Sequence, residues 1–425
     1  MSKNKKYIST SLLLALIGIV LISPIPWNHA HSNAKEDIVA FKASHKASDT
    51  VCTQIRLLSQ EDSCKAQEID QLLTSAYKKG RFSGQFLYAE QGRVIYKNCF
   101  GFSNIRARRD SIKPTSAFQL ASLSKPFTAV AVMQLYQEGK LDINRAVKTY
   151  LPDFPFEKIT VKELLQHRSG LQNYIYAAEN FWPDKENPLQ NSDLDKLMGT
   201  YAQRLDFKPG SRFRYCNTNY AYLALLVEKI SGKSFGQYFE ENIAQPLQMQ
   251  NTFVYNAQEP QDERDIVRGY SYSRRTGFYQ RRPDYLDGVV GDKGLMSNVE
   301  DLFRFDQALY SDAFLADTIR DLMFTPAVPL SERHENDYGL GFRIKQESPD
   351  HQIVYHNGWW KGFRSYFIHD YQRERTLIWL VNRSDVTINP YIEKIFDIAV
   401  SFSDAELAQE TNANHSEDLD EAFGS

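Results

Sequence analysis

Ala121-Ser122-Leu123-Ser124-Lys125-Pro126-Phe127 stands at the head of a long apolar run, and its reading decides how the rest of the 425-residue chain is understood. Phe127, Val130, Val132, Met133, Leu135 and Tyr136 follow on nearly every side of a helical projection, the mark of a buried helix, and Gly139 ends it. Residues three apart on a helix share a face, so the Lys125 amine falls beside the Ser122 hydroxyl. A serine hydroxyl becomes a useful nucleophile only when a neighbouring base takes its proton, and a lysine kept unprotonated by its surroundings can do so. The spacing alone is weak, because Ser2 with Lys5 and Ser75 with Lys78 repeat it. The rest of the chain has to single out the copy at Ser122.

Working outward, the composition excludes several classes. With 42% hydrophobic and 24% charged residues the chain can bury a large core. A net charge of −3 supplies no basic field for a phosphate backbone, so nucleic acid is not an expected partner. The 26 Phe and 24 Tyr residues suit a well-filled core and a ring-lined cleft. Neither Cys-x-x-Cys nor His-Glu-x-x-His occurs and the histidines are scattered, so no metal site and no cofactor is expected.

At the N-terminus Lys3, Lys5 and Lys6 precede an apolar run from Leu12 to Ile22 and then Ser32-Asn33-Ala34, the layout of a secretory signal with cleavage after Ala34. An uncleaved anchor from Tyr7 to Trp27 is the alternative and would be the one link to a membrane. The expected location is therefore periplasmic or extracellular. Export permits disulfides, and Cys52 with Cys64 is the preferred pair, leaving Cys99 and Cys216 as buried thiols.

Residues 35–65 read as a polar extension and 66–402 as the folded body, with residues 403–425, which hold seven acidic residues and no Lys or Arg, as a disordered tail. Ile69, Leu72, Leu73 and Tyr77 make a helical stripe from Ala66 to Lys79. Gln85–Ala89 and Arg93–Phe100 flank the turn Glu90-Gln91-Gly92 as a hairpin. Ile159 to Gln166 is helical, and His167-Arg168-Ser169-Gly170 reads as its C-terminus with Gly170 left-handed, in preference to a direct chemical role.

The stretch 172–190, rich in Tyr174, Tyr176, Phe181 and Trp182 but without helical spacing, resembles a substrate-lining loop. A helix follows from Tyr220 to Ile230, closed by Gly232, and Ser297-Asn298-Val299-Glu300 reads as a capping box on Ser297. Strands are expected at Tyr338–Ile344, Ile353–Tyr355, Arg364–Phe367 and Leu377–Val381, then a helix from Pro390 to Phe402. Helix and hairpin at one end, with strands and a helix at the other, predict an α+β fold. One sheet is built from both chain ends around a mostly helical insertion at about 115–290.

Ser122-x-x-Lys125, Tyr215-Cys216-Asn217 and His356-Asn357-Gly358, in that order, resemble the motif set of the serine β-lactamases and penicillin-binding proteins, in its Tyr-x-Asn form. Leu151-Pro152-Asp153, Leu164 to Leu171 and Gly294-Leu295-Met296-Ser297 are similar to stretches of the class C-like branch, so the likeness spans roughly 66–400. The resemblance implies an antiparallel sheet flanked by helices and catalysis by Ser122, Lys125 and Tyr215 through an acyl-enzyme. It further implies substrate contacts from Asn217, His356, Gly358 and Trp359, the Ser122 and Trp359 amides forming an oxyanion hole, with the third motif on an edge strand.

The substrate is then a small molecule or peptide with a carbonyl group. His356 stands where the family often has Lys, and Trp359 and Trp360 where small residues are common, which narrows the cleft and favours a D-alanyl peptidase or esterase. A true β-lactamase and a non-catalytic cell-wall peptide sensor are the alternatives. No Gly-x-Ser-x-Gly elbow supports an α/β-hydrolase. The sequence leaves the oligomeric state open.

Overall fold

The computed structural model describes residues 59–397, except 202–203, 256–263, 332–335, 349 and 387. The expected export signal, most of the polar extension with Cys52, and the acidic tail lie outside the described residues. The first helix, α1, runs Gln60–Lys78, starting six residues before the apolar stripe suggests. Ser59 and Asp62 form a capping box there, each side chain bonded to the other's amide. Its inner face buries Ile69, Leu73 and Ala76, while Cys64 lies exposed on the outside.

Strands β1 (Gly84–Glu90) and β2 (Arg93–Phe100) pair through Gln91 and Gly92, whose φ values of 50° and 68° make the doubly left-handed turn that suits a twisted hairpin. Cys99, expected to be buried, is part-exposed because β2 is a sheet edge with one open side. Five further strands come from the far end of the chain: β3 (Asn336–Tyr338), β4 (Arg343–Ser348), β5 (His351–Trp360), β6 (Phe363–Asp370) and β7 (Arg375–Val381). The expected single strand Tyr338–Ile344 is thus two, parted by a turn containing Gly339 and Gly341.

The seven strands form one sheet in the order β3-β4-β5-β6-β7-β1-β2. All its pairings are antiparallel, with Gly84 opposite Val381 and Glu90 opposite Arg375 where the two ends of the chain meet. One face packs α1 and the last helix, α8 (Asn389–Phe396), around Phe86, Trp379, Ile392 and Phe396. Trp379 meets Phe82 and Phe86 edge-on at 5.1 and 5.2 Å.

The opposite face carries α2 (Ser124–Gln137), α3 (Val161–Leu165), α4 (Tyr174–Phe181), α5 (Leu194–Tyr201), α6 (Asn217–Ser231) and α7 (Val299–Ala308). Helix α2 is buried nearly all round, as its composition demands, with Phe127 4.1 Å from Phe305 of α7. The stretch expected as an aromatic loop contains α4, because Tyr174, Ile175, Ala177 and Ala178 give it one buried side. Helix α7 is capped by Asn298, whose side chain accepts from the Asp301 amide. Ser297 instead ends a short strand, Leu295–Ser297, and its hydroxyl meets Thr252 Oγ1 at 2.7 Å. That strand pairs with Phe118–Gln119, which fixes residues 292–294 against the head of α2. Among the described residues no helix is long and apolar enough to cross a membrane.

Candidate active site

Ser122 lies in a single 3-10 turn, Ala121–Leu123, that runs straight into α2. Residues three apart eclipse in such a turn, and the Lys125 Nζ comes within 2.9 Å of Ser122 Oγ. Ala121 enters with a left-handed φ of 52°, which costs a non-glycine residue on the order of 1 kcal/mol. Its amide donates to Gln119 Oε1 at 3.1 Å, which helps to hold the turn. Lys125 is wholly buried, and a buried amine is tolerable only when its hydrogen bonds are met. Besides Ser122, Lys125 reaches Asn217 Oδ1 at 2.9 Å and the Asp292 carbonyl at 2.8 Å.

Asn217 opens α6, and Tyr215 precedes it by two residues, so the helix start places both over Lys125. The Lys125 amine lies 4.8 Å from the centre of the Tyr215 ring. The Arg343 guanidinium, at the start of β4, lies 5.0 Å from the same ring centre. His356 is 1% exposed. Its Nδ1 donates to its own neighbour's carbonyl, Asn357 O, at 2.7 Å, and its Nε2 accepts from Tyr338 Oη at 2.9 Å. Burial, then Arg343 and Lys125, hold it well below the usual histidine range. With Nδ1 donating and Nε2 accepting, this third-motif side chain is a buried, neutral imidazole.

The third motif lies on β5, an interior strand and not the expected edge. Pairing with β4 stops at Tyr355, however, so among the sheet strands His356–Trp360 have only β6 beside them and turn their open side to the turn that holds Ser122. Gly358 makes that approach possible. A Cβ there would lie 2.2 Å from Leu120 O and 2.9 Å from the Ser122 nitrogen. Trp359 is half-buried and lies under the Arg364 guanidinium at 4.8 Å. Trp360, on the opposite side of the pleat, turns inward and donates to Asp287 Oδ1 at 2.6 Å. Strand alternation therefore leaves Trp359 alone to narrow the cleft.

Sequence patterns did not point to Arg343, Asp292, Lys293 or the role of His167. Asp292 and Lys293 are buried, and Tyr174 Oη links them by donating to Asp292 Oδ2 at 3.1 Å and accepting from Lys293. The only hint in the sequence was the Asp-Lys pair just before Gly294, which no periodicity explains. Two residues of the tetrapeptide after α3 are left-handed: Gly170, as expected, with φ 80°, and also His167 with φ 55°. Among the described residues no three His, Cys, Asp or Glu side chains converge as a metal site.

Residues 66–390 match the β-lactamase family model, and the chain belongs to that family of serine hydrolases. Penicillin-binding protein 4* of Bacillus subtilis strain 168 is 34% identical over 333 residues, spanning 76% of this chain and 73% of that protein. In three dimensions the octameric penicillin-binding protein homologue from Pyrococcus abyssi is similar with a TM-score of 0.67 at 25% identity, over 79% of this chain and 76% of that one. A penicillin-binding protein from Bacillus halodurans gives 0.65 at 26% identity, over 73% and 94%.

Proposed function

We propose that the chain is an exported hydrolase that cleaves an amide or ester through an acyl-enzyme on Ser122, in the manner of a D-alanyl peptidase or esterase. The observation that carries this reading is the Lys125 amine, held at 2.9 Å from both Ser122 Oγ and Asn217 Oδ1 with the Tyr215 ring beside it. Ser122 Oγ attacks the carbonyl carbon as its proton passes to the Lys125–Tyr215 pair. The N–H groups of Ser122 and Trp359 receive the oxyanion. On collapse the carbon–leaving-group bond breaks and Tyr215 returns the proton to the departing amine or alcohol. Water, activated by the same pair, then releases the acyl group. Lys125 and Arg343, 4.8 and 5.0 Å from the ring centre, stabilise negative charge on Tyr215 while its proton is in transit.

The penicillin-binding relatives support a peptide-like substrate. Arg343 supplies a cation where a neutral His356 leaves the third motif without one. The N-terminal charge-then-apolar pattern supports export. Labelling with a fluorophosphonate or a penicillin probe tests the acyl-enzyme, with Ser122→Ala expected to abolish it. Retained labelling in that variant refutes the reading. Comparing nitrocefin, a D-Ala-D-Ala peptide and p-nitrophenyl esters separates peptidase and esterase from β-lactamase, and turnover of none of them identifies a sensor.

A further inference from the structure

We propose that His167 is a positioning residue for the second motif, holding Tyr215 and Asn217 in register with Ser122. This rests on the acyl-enzyme reading above. His167 grips the motif at three points. Its carbonyl accepts from the Arg214 amide at 2.9 Å. Its Nδ1 accepts from the Cys216 amide at 3.1 Å, the one peptide N–H between Tyr215 and Asn217. Its ring lies on the Tyr215 ring, with centroids 4.3 Å apart and planes inclined by 35°.

A second donor fixes the ring's state. Ser169 Oγ donates to Asn219 Oδ1 at 2.5 Å, which turns the Asn219 Nδ2 toward His167 Nδ1 at 3.0 Å. With two N–H groups aimed at it, Nδ1 must be the acceptor, so the proton sits on Nε2. A charged imidazole would present a third N–H to these two donors. Burial, then the Lys125 and Arg343 charges, hold the ring well below the usual histidine range.

The arrangement is costly for a helix end. His167 is wholly buried, its φ is +55°, and its Nε2 has no hydrogen-bond partner among the described residues. A left-handed residue and an unmet buried donor each cost on the order of 1–3 kcal/mol. Glycine would end α3 without either cost. Two penalties at one residue, against the ring expected to relay the proton, indicate that placement of Tyr215 is what the histidine supplies.

His167→Gly discriminates, because it accepts the left-handed backbone while removing both the acceptor and the stacked ring. If His167 only terminates the helix, this variant turns over as fast as the parent, even though the cavity left by the buried ring lowers its melting temperature. The positioning role predicts a folded protein whose kcat for a p-nitrophenyl ester falls about 100-fold, the order of effect expected from an ångström-sized misplacement. KM should move by less than about threefold, and the acylation burst should slow in step with kcat. A folded His167→Gly protein with kcat within about threefold of the parent overturns the proposal.

Should that variant not fold, His167→Asn decides, since asparagine tolerates positive φ and offers Oδ1 to the Cys216 amide. The proposal expects kcat within about tenfold of the parent, and a folded but inactive asparagine variant overturns it. Ser122→Ala is run alongside. If it still turns over the ester, the acyl-enzyme reading fails whatever His167 does. If it is dead while His167→Gly is unimpaired, only the positioning role fails.

Discussion

Four cationic or potentially cationic side chains, Lys125, Arg343, His167 and His356, meet around Tyr215, and the state of each limits the others. Lys125 and Arg343 lie 4.8 and 5.0 Å from the ring centre, and a lysine in place of the buried His356 would add a further charge to a water-poor pocket. A neutral imidazole bonded to Tyr338 fits where an ammonium would not. The linkage has a definite sign. His356 is held well below the ordinary histidine value of 6.5, so between the two values the folded state takes up fewer protons than the unfolded chain. Its stabilising effect is therefore present above pH 6.5 and is lost as pH falls toward the depressed folded value.

Urea unfolding of the parent and of His356→Gln at several pH values checks this. The variant should lose less stability per pH unit on acidification, by up to about 1.4 kcal/mol. Parallel slopes would mean that His356 titrates alike in the folded and unfolded chain, and its burial would not depress it. Among the site residues, Ser122, Lys125, Tyr215 and Asn217 were legible from spacing and order. Arg343 and Asp292 were not, because one contributes a guanidinium that no motif marks and the other a backbone carbonyl that any residue could supply.

At the level of elements, the site depends on β5 passing very close to the turn before α2. Gly358→Ala places a methyl group 2.2 Å from Leu120 O and 2.6 Å from Ser365 Oγ, so strand and turn must separate. Overpacking of this kind costs about 1–3 kcal/mol. The expected outcome is a lower melting temperature with slower fluorophosphonate labelling, and a variant that labels at the parental rate removes the argument for close approach. Helix α2 was readable because an all-round apolar run has one physical use. The α7 cap was misread by one residue, since Ser297 and Asn298 are both good caps. The choice fell to Asn298 once Leu295–Ser297 joined a ladder with Phe118–Gln119.

Over the whole molecule, the two chain ends meet in the sheet where β1 pairs with β7, and α1 and α8 cover the same face. The C-terminal helix is therefore part of the core that supports the N-terminal hairpin. Truncation after Ser384 removes Ile392 and Phe396, both almost fully buried. Lost burial of these two side chains alone amounts to about 3–6 kcal/mol, comparable with the entire stability of many domains. The truncated chain should lose cooperative thermal unfolding and bind a hydrophobic dye, and an unchanged melting curve would show that α8 is dispensable.

The amino-acid sequence by itself determined the family motifs and their order, the buried nucleophile helix, the hairpin and the α+β arrangement. Each of these is a short-range pattern: a helical or strand period, a turn residue with the required backbone freedom, a fixed spacing between two side chains. Folding decided what surrounds the chemistry. The contact from Lys125 to Asp292 spans 167 residues, and the one from His167 to Cys216 spans 49. Such pairs exist only once helix packing and strand register are set, and buried polar groups then take whichever partners the fold has brought within hydrogen-bonding distance.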